Sequence, residues 1–576
     1  MRLAALALAV ALCAPAGEYR AFWADAFHVG YKTPAEVDAM VEAVAAARGN
    51  AILIEVRHRG GAYFLKRIEP QTEDAGWQQG FDALAYTIEK AHARGIEVHA
   101  WYPVTPLWDL TRTPVDPKHA WNLHGPNVSG DEFWLTTTAA GKMSRSVDPG
   151  HPDVVRHLAE VIVDPLRHYE LDGVHLDYIR YPEDDRYGYN PTSLARFRRL
   201  HNREGIPADT DAAWQEFRRR QVTDLVRQVY LRSYEIRPQA KVSAALITWG
   251  NGPGNDAEFR SKDAYSRVYQ NWPAWLEEGI LDIGMPMNYF AERTNGALLD
   301  RWLAFEKTKQ FGRLITPGLG VYLSSIPESV SQLRRVRQTG LPGVVFYSYA
   351  STNSLQSNGA PTVPNAEFYA AVAGVFGEAV ASPEMPWKSA ASGRGHVMGL
   401  LSVEDGPAWL KDDVEVTIQS DTNPDAIHRR RTDSTGFFGA VDLPPDRWYV
   451  RLSRAGQELF RTVPLDLAAG QSIRFDVFLR AADFGGVVPV IEGVEVRAEG
   501  LALTMRNLLV EPAAGRAKVL AGTQVLVNGA AVDITGIGPG WIETSLPQAA
   551  VDGTWRIQVR YAGLESSVME VAGSVR

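Results

Sequence analysis

The 576-residue chain has a single cysteine, Cys13. It lies in the apolar start of the chain, so everything after residue 16 can form neither a disulfide nor a thiolate metal site. Positive charge is also short: the net charge is −9. That excludes broad binding to nucleic-acid phosphates, which needs a basic surface to displace counterions, and it gives no polybasic reason to sit on an anionic membrane. Long hydrophobic runs are missing. The apolar stretch Leu3–Leu12 falls well short of the roughly 20 residues that span a bilayer. No H-E-x-x-H, P-loop or G-x-S-x-G is found, and no G-x-G-x-x-G follows the first strand, which argues against an open dinucleotide-binding sheet.

What is present begins with export. Arg2, the apolar run and Ala14-Pro15-Ala16 describe a secretory leader over residues 1–16. Leu12 is poorly suited to lipoprotein processing at Cys13. The expectation is a periplasmic, extracellular or surface protein with no integral membrane segment in the mature chain. A hydrophobic fraction of 45% is that of a globular protein, and the length asks for several domains.

From Tyr19 to Tyr349, short strand-like runs alternate with helical patterns, which predicts parallel βα units. The strand candidates are Tyr19–Phe27, Ala51–Arg57, Ile96–Val104, Gly173–Tyr181, Lys241–Ile247, Leu281–Tyr289, Leu314–Leu323 and Gly343–Tyr349. Eight such runs predict an α/β fold, a closed (β/α)8 barrel over 18–380. Residues 381–393 are rich in Pro, Ser and Gly and read as a linker. Beyond them the pattern shifts to short alternating strands, read as two small all-β sandwiches over 394–480 and 481–576.

Barrel enzymes carry their chemistry at the C-terminal strand ends, and alternation along a strand selects which side chains point inward. Val174 and Leu176 suit the helix layer, which sends His175 and Asp177 inward. The same rule sends Trp23 and Asp25, Glu55 and Arg57, and Glu97, His99 and Trp101 inward, with Asn288 a further candidate on the sixth strand. Asp177 stands out in Asp172-Gly173-Val174-His175-Leu176-Asp177-Tyr178-Ile179-Arg180-Tyr181-Pro182. Here the chain resembles the glycosyl-hydrolase-like family 10 of bacterial envelope proteins. The resemblance extends to Arg20-Ala21-Phe22-Trp23, Glu55-Val56-Arg57, Glu97-Val98-His99-Ala100-Trp101, Ser146-Val147-Asp148-Pro149 with His151-Pro152, and Asp282–Tyr289. It implies a glycosidase-like (β/α)8 domain acting on cell-wall or other bacterial polysaccharide. Asp172, Gly173, Asp177, Met287 and Tyr289 are also similar to chitinase-type barrels, with Ile179 where those carry a terminal acid. Residues 394–480 resemble carboxypeptidase-regulatory-like or Cna-B-like sandwiches through Gly395-His396-Val397, Arg431–Phe437 and Leu443-Pro444-Pro445.

Glycoside cleavage needs two carboxyl groups flanking the bond. Asp177 is the first candidate; Glu55, then Asp25, then the loop acids Glu183 and Asp184 compete for the second. Arg57, His99, His175, Arg180 and Asn288 are candidates for hydrogen bonds to substrate. Trp101, Tyr102, Trp249, Tyr289 and Tyr349 are candidates for sugar stacking. No metal or cofactor is required; Asp148, His151 and Asp153 read as a loop and helix cap. The expected activity is O-glycosyl hydrolysis with peptidoglycan glycan strands favoured, and a polysaccharide is the partner. The alternatives are a non-catalytic carbohydrate-binding or envelope scaffold protein and, more remotely, a metal-dependent deacetylase.

Overall fold

The structure, a computed structural model, describes residues 17–356, 359–484, 490–497, 500–506, 510–513, 516–519, 523–538, 541–546, 553–561, 564–566 and 568–573. The expected leader, with Cys13, lies outside the described residues. Among those that are described, no helix is long and apolar enough to cross a membrane.

Eight parallel strands form the barrel: β1 Tyr19–Ala24, β2 Ala51–Glu55, β3 Glu97–Pro103, β4 Gly173–Asp177, β5 Lys241–Leu246, β6 Ile283–Asn288, β7 in two pieces (Leu314–Ile315 and Gly318–Gly320), and β8 Gly343–Tyr347. Neighbours pair in chain order, β5 pairs β6, and β8 returns to β1, so the sheet closes on itself. Each strand is shorter than its sequence signal because the chain turns away at the C-terminal end to build loops. The outer helices are α1 Pro34–Ala46, α2 Ala83–His92, α3 Pro152–Val163, α4 Ala212–Ile236, α5 Trp272–Glu278, α6 Glu292–Lys307, α7 Ile326–Thr339 and α8 Asn365–Phe376. Their starts follow local rules. Thr33 accepts a hydrogen bond from Glu36 N–H ahead of Pro34, and His151 caps α3 through Asp153 N–H.

Ile52, Ile54, Val98, Ala100, Val174 and Leu176 face the helix layer and are fully buried. Burying each branched side chain there contributes about 1.5–3 kcal/mol. The opposite parity fills the barrel interior with polar and aromatic groups. At its N-terminal end, Lys241 Nζ bonds Glu97 at 2.6 Å and Tyr19 Oη lies 3.0 Å from His99 Nε2. One level up, His175 Nε2 accepts from Trp23 Nε1 at 3.0 Å while its Nδ1 meets Ser243 Oγ at 2.9 Å. Burial keeps this imidazole neutral, and the two contacts fix its proton on Nδ1. Gly318 is what admits the Trp23 indole, because a Cβ there would sit 2.7 Å from the ring.

Residues 381–393, expected as a linker, pack across the closed end of the barrel. Trp387 donates from Nε1 to Asp282 Oδ1 at 2.6 Å, and Lys388 pairs with Asp282 at 2.9 Å. Met385 and Trp387 join the interior cluster of Tyr19, Ala21 and Trp23. Beyond this plug, Gly395–Val403, Phe437–Leu443 and Ser472–Leu479 form one sheet. The facing sheet is Ile427–Arg431, Glu415–Ser420, Asp446–Arg454 and Gln457–Arg461. Val397, Leu401, Ile418, Trp448 and Val450 are buried between the two. A second pair of sheets, with Leu501, Val525, Ile542 and Trp555 at its core, follows. Trp448 and Trp555 are thus core residues.

Candidate active site

The loops after the strands surround a cleft of about 670 Å³ at the C-terminal mouth of the barrel. Its floor is aromatic. Tyr289 and Tyr347 stack with centroids 5.4 Å apart, Tyr322 meets both edge-on, and Trp23 and Trp101 pack beside Tyr347. The half-buried Tyr289, Tyr322 and Tyr347 can offer apolar ring faces to the C–H faces of a sugar, with the buried Trp23 and Trp101 packed behind them.

Two carboxyl groups border this floor. Glu55 ends β2 and Asp177 ends β4, with β3 between them, where Glu55 is level with Trp101 and Asp177 with Pro103. Strand spacing and rise place their α-carbons on the order of 11 Å apart, and both side chains point to the shared cleft. Asp177 Oδ1 accepts from Tyr178 N–H at 2.7 Å and from Arg180 at 3.4 Å, while Oδ2 accepts from Trp101 Nε1 at 3.3 Å. Glu55 Oε2 accepts from Ala26 N–H at 2.9 Å, and Oε1 lies 2.7 Å from His58 Nδ1. Burial raises both carboxyl pKa values above the ordinary range. Arg180 and the peptide N–H of Tyr178 offset part of that rise at Asp177, and His58 offsets part of it at Glu55. Tyr178 has φ +46°, a left-handed conformation uncommon for a bulky residue, and its ring lies 4.1 Å from the Arg180 guanidinium.

The predicted residues divide. Asp177, Glu55, Trp101, Arg180, Tyr289, Glu183 and Asp184 line the cleft. Trp249 is half-buried just behind Arg180, at 6.0 Å. Others lie away from it, each for a physical reason. Asp25 spends Oδ1 on Phe27 N–H, His28 N–H and His28 Nδ1, so it holds the β1 loop. Arg57 lies past the end of β2, where a short hairpin reverses the chain; it pairs with Glu69 and donates to backbone carbonyls. Tyr102 has helix-layer parity and is buried beside Arg57 and Glu69. His99 and His175 are interior but beneath the floor. Asn288 faces outward, donating to the buried Glu306 at 3.0 Å. Tyr349 follows the end of β8 and stacks on Tyr369 of α8. Asp148 accepts from Thr136, Tyr181, Ser193 and Gly150, the pattern of a loop organiser.

Sequence reasoning missed Phe27, His58, Arg59, Trp108, Arg145, Tyr178, Tyr322 and Tyr347, all of which line the cleft. Tyr347 was within reach, since Val345 and Tyr347 share the inward parity of β8. The loop residues carried no periodic signal.

A family model described as Glycosyl hydrolase-like 10 matches residues 18–332. The chain belongs to this family. Glycosyl hydrolase DigH of Escherichia coli (strain K12) is 26% identical over 279 residues, covering 44% of this chain and 58% of that protein. Glycosyl hydrolase YngK of Bacillus subtilis (strain 168) is 25% identical over 259 residues, covering 44% and 48%. The chain thus spans about half the length of the curated relatives it matches. Among solved structures, the PgaB (BpsB) glycoside hydrolase domain from Bordetella bronchiseptica covers 57% of this chain and 94% of its own, at 14% identity and TM-score 0.41.

Proposed function

We propose that this family member is an exported glycosidase that cleaves O-glycosidic bonds of a bacterial polysaccharide, with peptidoglycan glycan strands the favoured substrate. The observation that carries the reading is the pair of buried carboxyls, Glu55 and Asp177, on one cleft floored by five aromatic rings. A structural ion pair at the barrel mouth would need neither the rings nor the cavity. A sugar stacked on Tyr289 and Tyr347 would share the cleft with Asp177. In its neutral form Asp177 supplies the proton that the leaving oxygen needs, and the Glu55 side of the cleft assists the attacking water. Desolvation favours the neutral acid, and the Trp101 indole and Tyr178 N–H keep its carboxyl oriented. The substrate class rests on the family membership together with the leader expected at residues 1–16. The two β-domains are proposed to hold the polymer or to space the barrel from the envelope.

The test is reducing-end release by the purified chain from peptidoglycan, peptide-stripped glycan strands, chitin and plant β-glucans, with Asp177→Asn alongside. Cleavage of one polymer, lost in the variant while the far- and near-UV circular dichroism stay unchanged, supports the reading. Binding without release, insensitive to the substitution, replaces it with a carbohydrate-binding scaffold.

A further inference from the structure

Both oxygens of Glu55 are engaged, as are both of Asp177, but one of the Glu55 contacts is to an imidazole that itself borders the cleft. Oε2 is taken by the Ala26 peptide and Oε1 by His58 Nδ1, and only 2% of the residue is exposed. His58 has the opposite character. It borders the cleft with 22% of its side chain exposed, and among the described residues its Nε2 has no hydrogen-bond partner. Phe27 meets the imidazole edge-on at 5.0 Å and 86°, so the ring is clamped between Glu55 and Phe27. Against an ionised Glu55 the neutral ring carries its proton on Nδ1, and the Nε2 lone pair is left open.

We infer that His58, oriented by Glu55, is the general base of the cleft, and that Glu55 is a positioning residue. The inference rests on the glycosidase reading and deepens it. In the step it describes, His58 Nε2 takes a proton from the attacking water as the water oxygen bonds to the anomeric carbon. The bond from that carbon to the leaving oxygen breaks, and the leaving oxygen takes the Asp177 proton. The imidazolium then releases its proton to solvent and the Asp177 carboxylate regains one, so water and glycoside are converted to two hydroxyl products with no other reactant. The water enters from the face opposite the leaving group, which makes the outcome inversion at the anomeric carbon. The charged groups around His58 are Glu55 on β2, the Asp25–His28 pair after β1, and the Arg59–Asp109 pair between the second and third strand-end loops. Across the cleft stand Asp177, Arg180 and Glu183.

The experiment compares kcat, KM and pH–rate profiles of wild type, His58→Ala, His58→Gln and Glu55→Gln on the polymer that wild type cleaves, with melting curves to verify folding. The inference expects His58→Ala to lower kcat by about 10²–10⁴-fold with KM nearly unchanged. It also expects His58→Ala to lose the acid-side limb of the profile and to be partly restored by added imidazole. Glu55→Gln, whose amide oxygen can still accept from Nδ1–H, should keep measurable activity. Proton NMR of early product should show inversion. Activity of His58→Ala within threefold of wild type, or Glu55→Gln as inactive as Asp177→Asn while His58→Gln keeps the acid limb, overturns the inference and returns the proton to Glu55. A wild-type chain that releases nothing from any polymer overturns the glycosidase reading itself.

Discussion

Asp412 joins the first β-domain to the barrel, and its removal gives a prediction whose size follows from the structure. Its carboxylate is 2% exposed and accepts from Arg196 Nε and Nη2, both at 2.9 Å, and from Arg199 Nη2 at 3.1 Å. Both arginines sit on the helix Pro191–His201, which follows the β4 loop. Burial alone would push the Asp412 carboxyl up; the two guanidiniums outweigh that and bring it down to about 2. Asp412→Ala would leave two poorly solvated guanidiniums without their anion, which costs about 3–5 kcal/mol. The pH dependence has a defined sign. The folded pKa is depressed from 3.8, so the ionic stabilisation is complete above about pH 4 and is lost as pH falls through about 2. Integrated over that shift it amounts to about 2.5 kcal/mol. Urea unfolding followed by tryptophan fluorescence at pH 7 and pH 2 measures both quantities. The double variant Asp412→Leu with Arg196→Met, which leaves no bidentate pair to break, should recover part of the loss. A loss below about 1 kcal/mol at pH 7, or a gap that does not narrow at pH 2, refutes the account.

Other outcomes are as definite. Glu306 is fully buried with Asn288 as its hydrogen-bond donor, and burial raises its pKa to about 8; Glu306→Gln should leave stability unchanged below pH 4.5. As pH rises from there to 8 the wild type alone should lose on the order of a few kcal/mol, and parallel stability–pH curves would contradict the assignment. Trp387→Ala empties the plug at the closed end and leaves Asp282 Oδ1 with Tyr230 Oη, at 3.3 Å, as its remaining donor; a loss of about 3–5 kcal/mol is expected from denaturant melts, with the cleft chemistry of the surviving folded fraction unchanged. Tyr347→Ala removes the ring that touches Tyr289, Tyr322, Trp23 and Trp101. It should raise KM for the cleaved polymer about tenfold, corresponding to about 1.4 kcal/mol of stacking, and an unchanged KM would remove the ring from the substrate path.

The barrel assignment was legible because barrel strands obey two simple constraints. Each must be apolar on the helix side, and each must be followed by a crossover long enough to return the chain to the start of the next parallel strand. Ile52, Ile54, Val98, Ala100, Val174 and Leu176 therefore announced their strands, and the same alternation turned Trp23, Glu55, Trp101 and Asp177 inward. The rule failed where strands end. At Arg57 a hairpin replaces the strand, and at Tyr349 the chain has already left β8, so counting by twos past Glu55 or Tyr347 selected residues that pack elsewhere. Inward parity also says nothing about depth: His99 and His175 are inward yet lie under the floor, each with its ring in contact with an interior side chain.

The sequence by itself determined the order of strands and helices, the family, and Asp177 as the leading carboxyl with Glu55 first among several candidates for a second, because these depend on periodicity and on motifs local in the chain. Only the tertiary structure decided which loop residues meet. His58 reaches Glu55 three positions away because the chain reverses, Phe27 arrives from another strand's loop, and Tyr322 comes from a third. It also decided that residues 381–393 pack against the closed end of the barrel, since Trp387 finds Asp282 more than 100 positions earlier in the chain. Contacts between distant segments are set by closure of the whole sheet, and no local pattern records them.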